Sequence, residues 1–257
     1  MRLADSVHEN LGDKEWIKKI NKKTEGRAED CNDFCSLADS ICKNLSDKKW
    51  SAKVYKQAEK KAEDCSSFIT LACGISENLG DKGWSKKVYK QAEENTEDSS
   101  DLKNLGEGIL ENLGDKKWVK KLLEEAVDKI QCANETHDVG TFIENRLADL
   151  TWAKEVYEKV FNFKDSDDHI TSRLDIGRIF LETYNDKANA TKVLEDAVIH
   201  VGEGYYIDIY YFLLDDLKNK NRANKWKDEY FDEMKNDYET YGGGEELFED
   251  NNEDEDE

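Results

Sequence analysis

The 257-residue sequence predicts an all-α fold: a right-handed α-solenoid of six or seven helical hairpins ending in a disordered acidic tail. Three observations carry that expectation. Tryptophans stand at Trp16, Trp50, Trp84, Trp118 and Trp152, each 34 residues after the last, and self-similarity at a fixed period of that size marks a repeat array. Each period holds two apolar stripes at helical spacing. Proline is absent and hydrophobic residues (37%) are matched by charged ones (38%), too few for one deep core. Narrow stripes hidden by neighbouring hairpins need no deep core.

The elements follow in order. In the first helix of a hairpin, Leu37, Ala38, Ile41 and Leu45 fall on one face, and Leu71, Ala72, Ile75 and Leu79 copy them. Gly12, Gly80 and Gly114 then suit the left-handed residue past a helix end. Asp13, Asp47, Asp81 and Asp115 follow as N-caps of the second helix. That helix carries Trp50, Val54, Tyr55 and Ala58, repeated as Trp84, Val88, Tyr89 and Ala92. Asp30 with Asp33, and Asp98 with Asp101, have the spacing of a capping box where the next first helix begins. The domain reading is five hairpins over 1–165, divergent repeats and a helical cap over 166–241, and the acidic tail over 242–257. A sixth hairpin is read around Asp186, Val193, Leu194 and Ala197, and a seventh around Leu213 to Leu217, Ala223, Trp226 and Tyr230.

The hairpin resembles the tetratricopeptide repeat, a 34-residue helix-turn-helix. The residues that carry the likeness are Ser51, Tyr55 and Ala58, then Ser85, Tyr89 and Ala92, then Ala153, Tyr157 and Val160 in second helices. In first helices they are Leu37-Ala38 with Ile41 and Leu105-Gly106 with Ile109. The family's proline is missing, and the turn inside each hairpin is one residue longer, which suggests a variant class. The resemblance covers residues 3 to 165 well and implies a protein-binding scaffold whose concave face, lined by first helices, receives a partner peptide or helix.

Net charge is −21, divided into −4 through residue 138 and −17 beyond it by count of the printed sequence. Such a balance disfavours direct nucleic-acid binding and favours a protein partner, with a basic surface preferred. Residues 245–257 hold nine carboxylates and no base, with Leu247 and Phe248 as the one apolar anchor of a docking segment. No run is apolar enough to span a membrane, and the opening residues, with Asp5, His8 and Glu9, do not read as a secretory leader. A cytoplasmic location is expected.

No residue pattern points to catalysis, a metal or a cofactor. Cys31, Cys35, Cys42, Cys65, Cys73 and Cys132 form no Cys-x-x-Cys, and the four histidines share no repeat position. The densest polar cluster, Asp167-Asp168-His169, reads as a helix start or loop. Asn10, Asn44, Asn78 and Asn112 also recur every 34 residues. They serve either to cap first helices or as an amide ladder for an extended ligand. The aromatics around Tyr206 and Tyr210 either cap the repeats or meet a partner. The tryptophans read as packing groups between hairpins. The expected function is a non-enzymatic scaffold or adaptor for a protein partner. The alternative is an acidic inhibitor or immunity protein that neutralises a basic toxin or nucleic-acid-acting enzyme. Self-association is open.

Overall fold

The computed structural model describes residues 13–163, 170–199 and 204–241. Among them are fourteen α-helices and no strand. The chain divides into two compact units, Met1–Ile130 and Gln131–Glu257.

In the amino-terminal unit, α1 (Lys14–Glu25) precedes three hairpins. These are α2 (Cys31–Leu45) with α3 (Lys48–Glu59), α4 (Cys65–Gly74) with α5 (Lys82–Glu94), and α6 (Ser99–Leu113) with α7 (Lys116–Lys129). A π-helical turn, Ile75–Leu79, extends α4. The partner expected for α1 falls in residues 1–12, outside the described residues.

Local chemistry fixes the ends. The carboxylates of Asp13, Asp47, Asp81 and Asp115 each accept the amide N–H of the tryptophan three residues on, at 2.9–3.3 Å, supplying a partner to a helix-start donor. Asp30, Asp64 and Asp98 cap the following first helices. Asp33 and Asp101 answer one residue further back than a capping box requires, accepting from the amides of Glu29 and Glu97. Gly80 and Gly114 take the left-handed conformation, with φ of 73° and 68°, and Ser46 takes it at 56° without a glycine's freedom.

The stripes meet inside these hairpins. Leu37, Ala38 and Ile41 of α2, Leu71, Ala72 and Ile75 of the next first helix, and Val54, Tyr55, Val88 and Tyr89 of the second helices are all fully buried. Each large side chain so removed from water contributes about 1.5–3 kcal/mol. Buried Ser51 and Ser85 donate to the carbonyls of Ala38 and Ala72 at 2.9 and 2.8 Å. First helices pack on first helices of the next hairpin, α2 on α4 and α4 on α6.

The carboxyl-terminal unit also pairs its helices. α8 (Ala133–Phe142), ending in a π-helical turn at Ile143–Leu147, packs on α9 (Leu150–Tyr157) and its 3₁₀ extension Glu158–Asn162. α10 (Ile170–Glu182) packs on α11 (Lys187–Ile199), and α12 (Tyr206–Tyr211), with its turn Phe212–Asp216, on α13 (Lys220–Glu229) and α14 (Phe231–Tyr241). Asp149 caps α9 as its counterparts do, and Ala148 holds φ at 57°. Elsewhere the bonds are particular to one place. Buried Arg173 pairs with Asp196 and donates to the Phe163 carbonyl at 2.7 Å. Phe180 lies among Phe161, Tyr157 and Tyr184. Asp237, on the last helix, accepts the amides of Gly204 and Tyr206 at 2.6 and 2.8 Å. The residues expected to form the sixth and seventh hairpins, Val193, Leu194, Ala197, Leu213, Ala223 and Trp226, are buried in α11 to α13.

Candidate functional site

A recurring latch ties first helices to second helices. The ring of Tyr55, on α3, is buried, and its hydroxyl donates to the Asp39 carboxylate on α2. Asn78, in the turn after α4, adds its amide: Nδ2 donates to Tyr55 Oη at 2.9 Å and to Asp39 Oδ1 at 3.0 Å. One period later, Asn112 Nδ2 reaches Tyr89 Oη at 3.1 Å, Cys73 Sγ at 3.5 Å and the Gly108 carbonyl at 3.1 Å. The Tyr89 hydroxyl donates to that same carbonyl at 3.0 Å. Thr141 takes the corresponding place beside Tyr157, at 3.2 Å.

The latch explains why glycine follows Cys73. A Cβ at Gly74 would lie 2.7 Å from Tyr55 Oη and 2.9 Å from its ring, so the phenol passes over α4 only because no side chain is there. Burial pushes the Tyr55 and Tyr89 hydroxyls far above the ordinary phenol range, keeping them neutral donors. Burial likewise raises the Asp39 carboxyl, and the Tyr55 bond opposes that rise. Desolvation lifts the Cys73 thiol, and Cys65 to about 12, so neither is a reactive thiolate.

The sequence-predicted residues are placed as follows. The amides of Asn78 and Asn112 bridge to the preceding hairpin, and that of Asn112 also donates to a carbonyl of its own helix. Asn44 is buried and donates to Ser40 Oγ at 3.1 Å. Asn10, Leu247, Phe248 and the cluster Asp167 to His169 lie outside the described residues. Tyr206 stacks on Trp226, centroids 6.0 Å apart, tilts against Tyr230 at 5.3 Å, and takes the Trp226 indole N–H on its backbone carbonyl. Tyr210 is buried beside Tyr211.

The tryptophans reach across hairpins. The indole N–H groups of Trp50, Trp84 and Trp118 donate to Glu25, Glu59 and Glu93 at 3.1–3.2 Å, always 25 residues back. Trp16 is 46% exposed. Tyr55 with Asn78, Tyr89 with Asn112, and the three glutamates escaped the sequence reading as partners. Their signal was present in it, as fixed offsets of 23 and 25 residues repeated at the 34-residue period.

Among the described residues, no group of three or more His, Cys, Asp or Glu side chains is disposed to hold a metal ion. An acidic depression between hairpins includes Asp64, Asp98 and Asp101, whose carboxylates are occupied by helix-start amides. No described helix is long and apolar enough to cross a membrane. No protein-family model matches the chain, and no curated protein is found similar to it.

Proposed function

We propose that the chain is a non-enzymatic adaptor, a right-handed solenoid of tetratricopeptide-like hairpins that holds a protein partner on the outer face of its first helices. The observation that carries this reading is a division of labour along the repeat. Among the positions kept from one hairpin to the next are those that hold the frame: the capping aspartates, the indoles, Tyr55 and Tyr89, Asn78 and Asn112. Positions that change lie on the first-helix surface, as with Ser36, Thr70, Asn104 and Asp138, of which Thr70, Asn104 and Asp138 are exposed. A scaffold whose frame is constant and whose outward positions vary is suited to recognising one partner by its sequence of contacts. All six cysteines stand as free thiols, which suits the reducing cytoplasm.

The test uses the full chain as bait beside a variant carrying Thr70→Lys, Glu77→Lys and Asn104→Lys. The expected result is a protein retained by the parent and lost from the variant, with helical content by circular dichroism unchanged in both. A protein retained equally by the two, or lost only on disrupting second helices, would overturn the assignment of the face.

A further inference from the structure

The fold sorts charge that the sequence interleaves. In the amino-terminal unit, the second helices, α1, α3, α5 and α7, carry 18 lysines and 8 carboxylates, whereas the first helices, with the turn after α4, carry 2 and 6. Eleven of those lysines form three rows at the repeat period. Lys14, Lys48, Lys82 and Lys116 make one, Lys19, Lys53, Lys87 and Lys121 another, and Lys22, Lys56 and Lys90 the third; all are exposed. The first two rows end with the unit, Leu150 and Glu155 occupying the next positions, and the third ends inside it at Glu124.

Neighbouring acids relieve this face only in part. Glu25, Glu59 and Glu93 already accept indole N–H bonds. Lys86 pairs with Asp115 at 3.1 Å and Lys121 with Glu93 at 3.3 Å. At physiological ionic strength screening acts over about 8 Å, so the carboxylates that make the whole chain acidic do not cancel a local row.

The chain carries a segment of matching chemistry. Residues 245–257 present nine carboxylates and no base. Extended at about 3.3 Å per residue, such a segment reaches roughly 40 Å, enough to cross the four second helices α1, α3, α5 and α7 at about 10 Å each. We propose that the lysine rows are the docking surface for the acidic segment 245–257 of a second copy of this chain. Face and segment are different surfaces, so the contact is heterologous and one copy can receive and donate at once. A nucleic acid would have to displace a polyanion that every copy brings at its own concentration. The inference rests on unit packing and charge alone, independently of any partner on the first helices.

Two full-length variants test it by complementation. One has all nine carboxylates of the segment changed to amides, Glu→Gln and Asp→Asn. The other carries Lys19→Gln, Lys53→Gln and Lys87→Gln. In sedimentation velocity at low salt the parent should associate with rising concentration and fall to monomers at high salt. Each variant alone should remain monomeric. Mixed together they should form one-to-one pairs, because one keeps the face and the other the segment. A synthetic peptide of residues 242–257 should bind the lysine variant about tenfold more weakly than it binds the amide variant. The proposal fails if the parent is monomeric at every salt concentration, which would include the case of a segment engaged within its own chain. It also fails if the mixture does not pair, or if a DNA oligonucleotide binds the amide variant more tightly than the peptide does.

Discussion

The two units solve the same packing problem in opposite ways. In the amino-terminal unit one set of bonds is reused: indole to glutamate at 25 residues, asparagine to tyrosine at 23, serine to carbonyl at 13. In the carboxyl-terminal unit helices still pair, but through contacts that occur once, such as Arg173 with Asp196, Arg178 with Asp175 and Asp216, and Asp237 over the start of α12. A hairpin frame does not need a repeated bond code. Where the code is kept, each interface inherits the geometry of the last.

The largest effect should fall where contacts are unique. Arg173→Ala leaves Asp196 facing a cavity and the Phe163 carbonyl without its donor, a loss of about 3 kcal/mol tempered by the partial exposure of Asp196. Chemical denaturation should then resolve an early transition confined to the carboxyl-terminal unit; a single transition shifted as a whole would show the two units to be one cooperative body, and no shift at all would show that Arg173 contributes no stability.

Repetition makes the next prediction sharper. Trp50→Phe, Trp84→Phe and Trp118→Phe each remove the same indole bond to a glutamate, so each should cost about 1 kcal/mol. The three values should agree within about 0.5 kcal/mol, since the sites are separated and equivalent. Unequal losses by urea titration would mean the interfaces are alike only in outline.

Smaller and opposite in sign is the replacement of the left-handed residues. Ser46→Gly and Ala148→Gly, one in each unit, should raise stability by about 0.5 kcal/mol, because a side chain at φ near +56° is strained relative to glycine. A drop in melting temperature at either site would show that its side chain contributes more than its backbone costs.

The subtlest difference lies inside one unit, between Asp39 and its counterpart Cys73. Burial raises the Asp39 carboxyl in the folded state, so the folded chain binds that proton more readily than the unfolded one. This group's contribution is therefore fully present below the ordinary carboxylate range and is lost as pH rises through its raised value. The melting temperature of the parent relative to Asp39→Asn should increase on acidification from neutral pH. A constant offset would mean Asp39 titrates normally.

Much of the fold was legible because period and polarity coincide. The 34-residue spacing of Trp16 to Trp152 located the hairpins, and Asp47 or Asp81 before a lysine-rich helix located its start. What remained hidden was partnership. Asn78 looks the same in sequence whether it caps α4 or crosses to Tyr55, since only the stacking of α2 on α4 brings Asp39 and that phenol to it. Charge alternates along the chain, so the sorting of lysines by helix appears only when second helices are separated from first. In the carboxyl-terminal unit the period breaks, and with it the means of foreseeing that Tyr210 would be buried or that Asp237 would cap a helix 31 residues earlier.

In the amino-terminal unit, the indole–glutamate and asparagine–tyrosine bonds between hairpins each reach only the adjacent one. Excising one whole period, or duplicating it, would present the same donor to the same acceptor on either side of the join. A gene built this way can lengthen or shorten by unequal crossing-over in steps of 34 codons, so the number of hairpins is open to selection without any new interface having to be invented.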